Sequence, residues 1–422
     1  MTGEHNALFY RKNRYGHKSA DMAENAVELN NRIPLKYMAQ GEALGAVAFL
    51  KRTAPKYFLD HKEEDLLYQE SFPSTARIAL ADILDKIAKD NLELAILLEQ
   101  EFDEELVYAH LNNQDLAGRG TEQELKIVDQ IYRAIKKNHF QVTSYYAVII
   151  FDGDNMGKWL SGEMLSEQNK EQLTAFHKHL SQELAQFARK AAEKILTAPK
   201  GVTVYAGGDD FLGFVNLNYL PGILKELRAE FDKIDVSQFS SKKLTFSAGV
   251  AVSHFMTPLS VALQWARRME KEAKNMGGKD ALSLAVLKRS GEIIKFKTQW
   301  LNSHGWFADQ LKFLLDGLRD HFTTNFINQF CAEFIHFEGN MKIKNLDGMV
   351  DSELGRLLTR SYLDLSAGEA STRMKQDKEQ KIAEMKKVLN NLYIENNLED
   401  FLGLLEIISF LAKGVEIRAV AD

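Results

Sequence analysis

One cysteine, Cys331, is all the sequence has, so no intramolecular disulfide is available and no zinc site of the usual multi-cysteine type fits anywhere along it. Prolines number 6 and there is no low-complexity tract, which leaves little room for disorder. No apolar run approaches the roughly 20 residues that span a bilayer. The first residues, MTGEHNALFYRKNRYGHK, lack a hydrophobic signal segment. Together with the lone thiol, this points to a cytoplasmic chain with no membrane partner. Excess positive charge is missing as well. The net charge of −6 argues against a stand-alone nucleic-acid binder, though a local basic patch would suffice for RNA contact within a complex. What is present is enough apolar material, 45% of 422 residues, for a large core and more than one domain.

The most informative run is Gly207-Gly208-Asp209-Asp210, set between short apolar stretches at 202–206 and 211–215. A glycine pair between two strand-like runs signals a hairpin, because glycine accepts the φ > 0 geometry of tight turns. Upstream, Asp152-Gly153-Asp154 ends a third apolar run at 145–151. Asp152, Asp209 and Asp210 brought to one sheet edge would repel one another unless cations neutralised them. Two Mg²⁺ or Mn²⁺ ions bridging carboxylates and triphosphate oxygens resolve that conflict and set up in-line phosphoryl transfer. Acidic hairpins are also common as plain turns. The second carboxylate motif, one crossover upstream, favours the metal reading.

The element order agrees with it. A strand at 145–151 is followed by an amphipathic helix at 170–196, the hairpin, and a helix at 220–231. A strand at 244–253, a helix at 258–276 and a last strand at 281–287 complete the series. This is the α+β, ferredoxin-like order of a palm or cyclase domain. It predicts Asp152 and the hairpin tip on adjacent central strands. Three regions are expected: a helical one at 1–140, the palm at 141–292, and a C-terminal helical bundle at 293–422. The first includes apolar helical patterns at 43–50 and 78–98. The last has helical patterns at 300–318, 324–337, 354–365, 373–392 and 398–415.

The run Asp152-Gly153-Asp154-Asn155-Met156-Gly157, the Gly-Gly-Asp-Asp hairpin and KEAKNMGGKD at 271–280 together resemble a family. It is the large signature subunit of type III CRISPR effector complexes, nearest its III-B (Cmr) branch, and these runs look like its second palm. Stretches at 41–52 and 72–76 are similar to the helical domain before that palm, and the tail beyond about residue 290 to its C-terminal domain. The resemblance implies synthesis of cyclic oligoadenylates from ATP when a guide-RNA complex binds target RNA. It implies Asp152, Asp209 and Asp210 as metal ligands, with Gly153 beside them. It also implies partners: other subunits of the ribonucleoprotein, and guide and target RNA through them. Departures are clear. No His-Asp dipeptide marks the nuclease domain of large members, the zinc cysteines are missing, and the first 140 or so residues leave no room for a first palm. The expectation is a short form, one half of a split protein or a trimmed chain, needing a second palm in trans or a homodimer.

Other residues have two readings each. Asp154 reads as a turn cap with Asn155 and Gly157, or as a group behind the metal ligands. The backbone from Gly153 through Asn155 and Met156 to Gly157, with Gly207 and Gly208, is a candidate triphosphate cradle. Lys274 and Lys279 flank Gly277-Gly278, where they reach phosphates or simply end a helix in solvent. Ser247 and Gly249 form a small-residue window in a strand, open to a base or ribose or else packed under a helix. The basic residues of 261–300 read mainly as a solvated face. Besides the synthetase, two functions are expected as alternatives: an ATP-binding but silent scaffold subunit, and a stand-alone cyclic-nucleotide synthase acting as a palm dimer.

Overall fold

The computed structural model describes residues 7–10, 22–28, 43–44, 49, 72–98, 100, 102–337, 345–363 and 372–413. The chain divides into two compact units, Met1–Ser74 with Asn91–Lys137, and Thr75–Asp90 with Asn138–Asp422. Helix α1 (Thr75–Asp90) therefore belongs with the second unit although it precedes part of the first.

In the first unit, strands β1 (Ala7–Tyr10), β2 (Met22–Glu28) and β3 (Ala43–Leu44) form a sheet in the order β2-β1-β3. This amends the mostly helical expectation for 1–140: Ala43 and Leu44 begin the run read as a helix at 43–50, yet they pair with Tyr10 and Phe9. The rest of that run, apart from Phe49, lies outside the described residues. Helices α2 (Leu92–Leu98), α3 (Glu104–Leu111) and α4 (Glu122–Lys137) follow. Their starts are set by capping. Asp103 accepts from the Glu105 amide at 2.9 Å. Thr121 and Glu124 exchange bonds in a capping box, with the Thr121 amide donating at 2.8 Å and the Glu124 amide at 3.2 Å.

The second unit is built on a six-stranded sheet in the order β5-β6-β4-β7-β8-β9. Its strands are β4 (Tyr145–Gly153), β5 (Gly201–Ala206), β6 (Asp210–Asn216), β7 (Phe246–His254), β8 (Ala281–Leu287) and β9 (Ile293–Gln299). The central β4 is apolar on both faces because helices cover both. Under α6 (Leu173–Lys190) and α7 (Leu220–Phe231), Phe151 stacks on Phe211 at 4.8 Å and meets Phe246 at 4.2 Å and Phe187 at 5.9 Å. The opposite face carries α8 (Leu259–Lys274) and α1. Asn216 holds α1 there, donating to the carbonyls of Ile78 at 3.1 Å and Ala79 at 3.0 Å and to the buried Asp82 at 3.0 Å.

The sheet does not stop at residue 292. β9 pairs antiparallel with β8 over its whole length, burying Ile294, Phe296 and Thr298. The expected palm boundary moves accordingly. The helix expected from residue 300 begins only after a small hairpin, β10 (Leu301–Asn302) with β11 (Gly305–Trp306). Among the described residues five α-helices follow: α9 (Phe307–Asp320), α10 (Asn325–Phe334), α11 (Leu346–Ser361), α12 (Thr372–Glu395) and α13 (Leu398–Lys413). They share one apolar core with the palm, through contacts such as Tyr145 to Phe410 at 4.9 Å. No helix among the described residues is long and apolar enough to cross a membrane.

Candidate active site

Strand register brings the acidic motifs together. Asp152 lies opposite Asp210 across β4–β6 and opposite Ser247 across β4–β7, so these three share the sheet face that α8 covers. The hairpin between β5 and β6 closes through a 3.0 Å bond from the Gly207 amide to the Asp210 carbonyl, with Gly208 at φ +104°. Only glycine takes that backbone without strain. Asp209 sits against the end of β4, its carbonyl accepting from the Gly153 amide at 2.9 Å. Burial raises the Asp209 carboxyl above its ordinary pKa, and the charges of Asp152 and Asp210 push the same way.

The carboxylates are adjacent but not gathered. Among the described residues no set of three or more His, Cys, Asp or Glu side chains is close enough to hold a metal ion. A cation from α8 stands beside them. From its last turn Lys274 forms an ion pair with the Asp152 carboxylate and a second one, at 2.9 Å, with Glu270. Burial alone would lower the Lys274 pKa, but its bonds to Asp152 and Glu270 more than offset that and hold it above the usual lysine value.

Burial bears on three residues that had two readings each. Asp154 is 1% exposed and does not cap a turn at the surface. Its oxygens accept from the hydroxyls of Thr245 and Ser247, each at 2.8 Å, and from the Asp280 amide at 3.0 Å. Ser247 is fully buried and spends its hydroxyl on Asp154. At Gly249 the strand lies so close beneath α8 that a Cβ would overlap the Ala266 carbonyl oxygen and the Glu270 amide nitrogen. Helix packing accounts for the glycine in the small-residue window.

Asn155, Met156 and Gly157 form the turn into the short helix α5 (Met156–Leu160), with Asn155 left-handed at φ +57°. Met156 folds back under Gly153, whereas Gly157 has open space where a side chain would stand. Lys279 reaches across and donates to the Asn155 side-chain oxygen at 2.9 Å. Its loop is wound tightly, with Gly278, Lys279 and Asp280 all at positive φ.

Sequence reasoning missed what fixes that loop. Arg228 of α7, 5% exposed at its side chain, pairs with Asp280 at 2.9 Å and Asp232 at 2.6 Å. Its guanidinium lies between the rings of Phe246 and Trp306, 5.4 and 5.6 Å away. A signal existed: Arg228 falls on the apolar face of α7, four residues after Leu224. Asp154→Ala would strand three donors at once, and a loss of about 3 kcal/mol is expected in a urea melt. A midpoint within experimental error of wild type would show that the buried network is not stabilising.

A cavity of about 200 Å³ opens elsewhere, lined by Lys200, Tyr219 and Ile223 on the palm side and Lys312, Leu315 and Arg319 on α9. None of the three candidate metal ligands lines it.

Comparison with known proteins places this architecture. A solved structure of the type III-B Cmr-beta in its apo state is similar, with a TM-score of 0.55 over 89% of this chain and 52% of that one at 12% identity. The same assembly bound to cognate target RNA gives 0.52 over 89% and 53%, again at 12% identity. At that identity the likeness shows the fold. In sequence, the CRISPR system Cmr subunit Cmr2 of Pyrococcus furiosus is 31% identical over 188 residues, 40% of this chain and 22% of the relative. The chain thus spans about a fifth of the curated relative it matches. Residues 145–283 match the family model described as Cas10/Cmr2, second palm domain. Residues 145–283, which include the strands that set Asp152 opposite Asp210, are thus similar to the second palm domain of Cas10/Cmr2 proteins.

Proposed function

We propose that the chain is the palm-bearing nucleotidyltransferase subunit of a type III CRISPR ribonucleoprotein, making cyclic oligoadenylates from ATP when the complex binds target RNA. The observation that supports it best is the register of β4 on β6, which sets Asp152 against Asp210 beside Asp209 within a Cas10/Cmr2 palm. The donor chemistry fits divalent ions. Asp152, Asp209, Asp210 and the Gly153 carbonyl offer only oxygen, the donor that Mg²⁺ and Mn²⁺ prefer. Burial first, and then the neighbouring charges of Asp152 and Asp210, raise the Asp209 carboxyl, and a cation would relieve the part due to charge. Such ions, when bound, activate a ribose hydroxyl and steady a pyrophosphate leaving group.

The chain's own residues supply position. Asp152 and Asp210 are fixed by paired strands rather than by a loose loop, which holds reacting groups in register. Lys279 and the open backbone at Gly157 lie on the side of Asn155, where a triphosphate would find a cation and room. Partner subunits, with guide and target RNA held through them, belong to the same reading, as does a second palm in trans. The test is direct. Purified chain is incubated with labelled ATP and Mg²⁺ or Mn²⁺, alone and with partner subunits and target RNA. Cyclic oligoadenylate formed only in the complete mixture is the expected result. ATP binding without product in the complete mixture would make the chain a scaffold.

A further inference from the structure

The ion pair on Asp152 is more than a local salt bridge, because it lies on a candidate metal ligand and has a second carboxylate in reserve. We propose that Lys274 is the resident counter-ion of Asp152, and that a divalent cation entering at Asp152, Asp209 and Asp210 displaces its ammonium onto Glu270. The inference rests on the metal-site reading above and assigns Glu270 a role that reading does not contain.

The geometry supports a side-chain exchange with no movement of the helix. Glu270 and Lys274 are one turn apart on α8, and they are already paired at 2.9 Å. The backbone of α8 at Ala266 and Glu270 is pressed against Gly249, so the helix has no room to approach the sheet further. Releasing Asp152 therefore leaves the ammonium with a partner, and the side chain avoids the cost of a half-buried, unpaired charge. Glu270 is well placed for this, with its side chain only 16% exposed. Asp152 is open to a competing ion, with its side chain 38% exposed. A divalent ion brings twice the charge of an ammonium to the same oxygens, and it relieves Asp209 and Asp210 as well. The pairing also explains why the three carboxylates do not converge: Asp152 is held toward α8 by a cation that belongs to the chain.

Lys279 provides an internal comparison. It lies in the same region but bonds the neutral amide of Asn155, so its charge is near the site while, among the described residues, its ammonium occupies no carboxylate. Mn²⁺ binding to the 422-residue chain, followed by electron paramagnetic resonance and calorimetry, separates displacement from simple charge. Lys274→Met is expected to bind Mn²⁺ about tenfold more tightly, and Glu270→Gln several-fold more weakly because Lys274 then has Asp152 alone. Lys279→Met should stay within about twofold of wild type. Lys274→Gln serves in place of the methionine variant if that one melts early. No tightening on loss of Lys274, or equal tightening on loss of Lys279, overturns the inference. The paired variant Asp209→Asn with Asp210→Asn distinguishes the two levels. If it loses Mn²⁺ while Lys274→Met does not tighten, the metal site stands and the displacement falls. Binding indifferent to Asp209 and Asp210 removes the metal site and the displacement with it.

Discussion

Asp209→Ala combined with Asp210→Ala should abolish cyclic oligoadenylate formation in the assembled complex, a loss of more than about a hundredfold, or roughly 3 kcal/mol of barrier. The fold should survive, for a reason visible in the hairpin. Both residues hold the strand ends through their backbones, the Asp209 carbonyl on the Gly153 amide and the Asp210 carbonyl on the Gly207 amide. Alanine keeps those bonds. Removing two carboxylates from beside Asp152 also removes repulsion, so the double variant should melt no lower than wild type. Turnover measured with labelled ATP, beside a thermal melt, checks both parts. Near-normal synthesis by a folded double variant would show that the hairpin carboxylates do not serve the reaction.

Much of this was legible from the chain alone, because the signals were local. The apolar runs on either side of Gly207-Gly208 gave β5 and β6, and α7 and β8 occupy 220–231 and 281–287 as their periodicity predicts. The adjacency of Asp152 and Asp210 followed from element order. What escaped the sequence depends on long-range packing. Ser247 and Gly249 kept two readings because a small residue in a strand reads the same under a ligand or under a helix, and at Gly249 it is the approach of α8 that demands the missing side chain. Asp154 looked like a turn cap because its donors, Thr245, Ser247 and the Asp280 amide, are about 90 or more residues away. β9 was a different kind of miss. Its alternation of Ile294, Phe296 and Thr298 with Lys295 and Lys297 has the period of a half-buried strand, but the basic residues made it look like a solvated margin.

Gly249→Ala should destabilise the second unit by about 3 kcal/mol, near the upper end for adding a single methyl group to a packed interior. The size follows from what the methyl would meet. Most overpacked sites adjust by turning a neighbouring side chain, but here the nearest atoms are backbone, the Ala266 carbonyl oxygen and the Glu270 amide nitrogen. Relief requires α8 to lift from β7, and α8 packs against β8 and β4 as well. Lifting it would also carry Glu270 and Lys274 away from Asp152, so stability and Mn²⁺ affinity should change together in this variant. Gly157→Ala is the matched control. Nothing lies within 4 Å of the added carbon, and alanine is the better helix former in α5, so stability should hold or rise slightly. Urea midpoints for the two variants, with Mn²⁺ titrations on each, test the pair. A Gly249→Ala midpoint equal to wild type would mean that α8 rides more loosely on the sheet than the Gly249 contact implies, and the fixed-helix basis of the Lys274 exchange would fail with it.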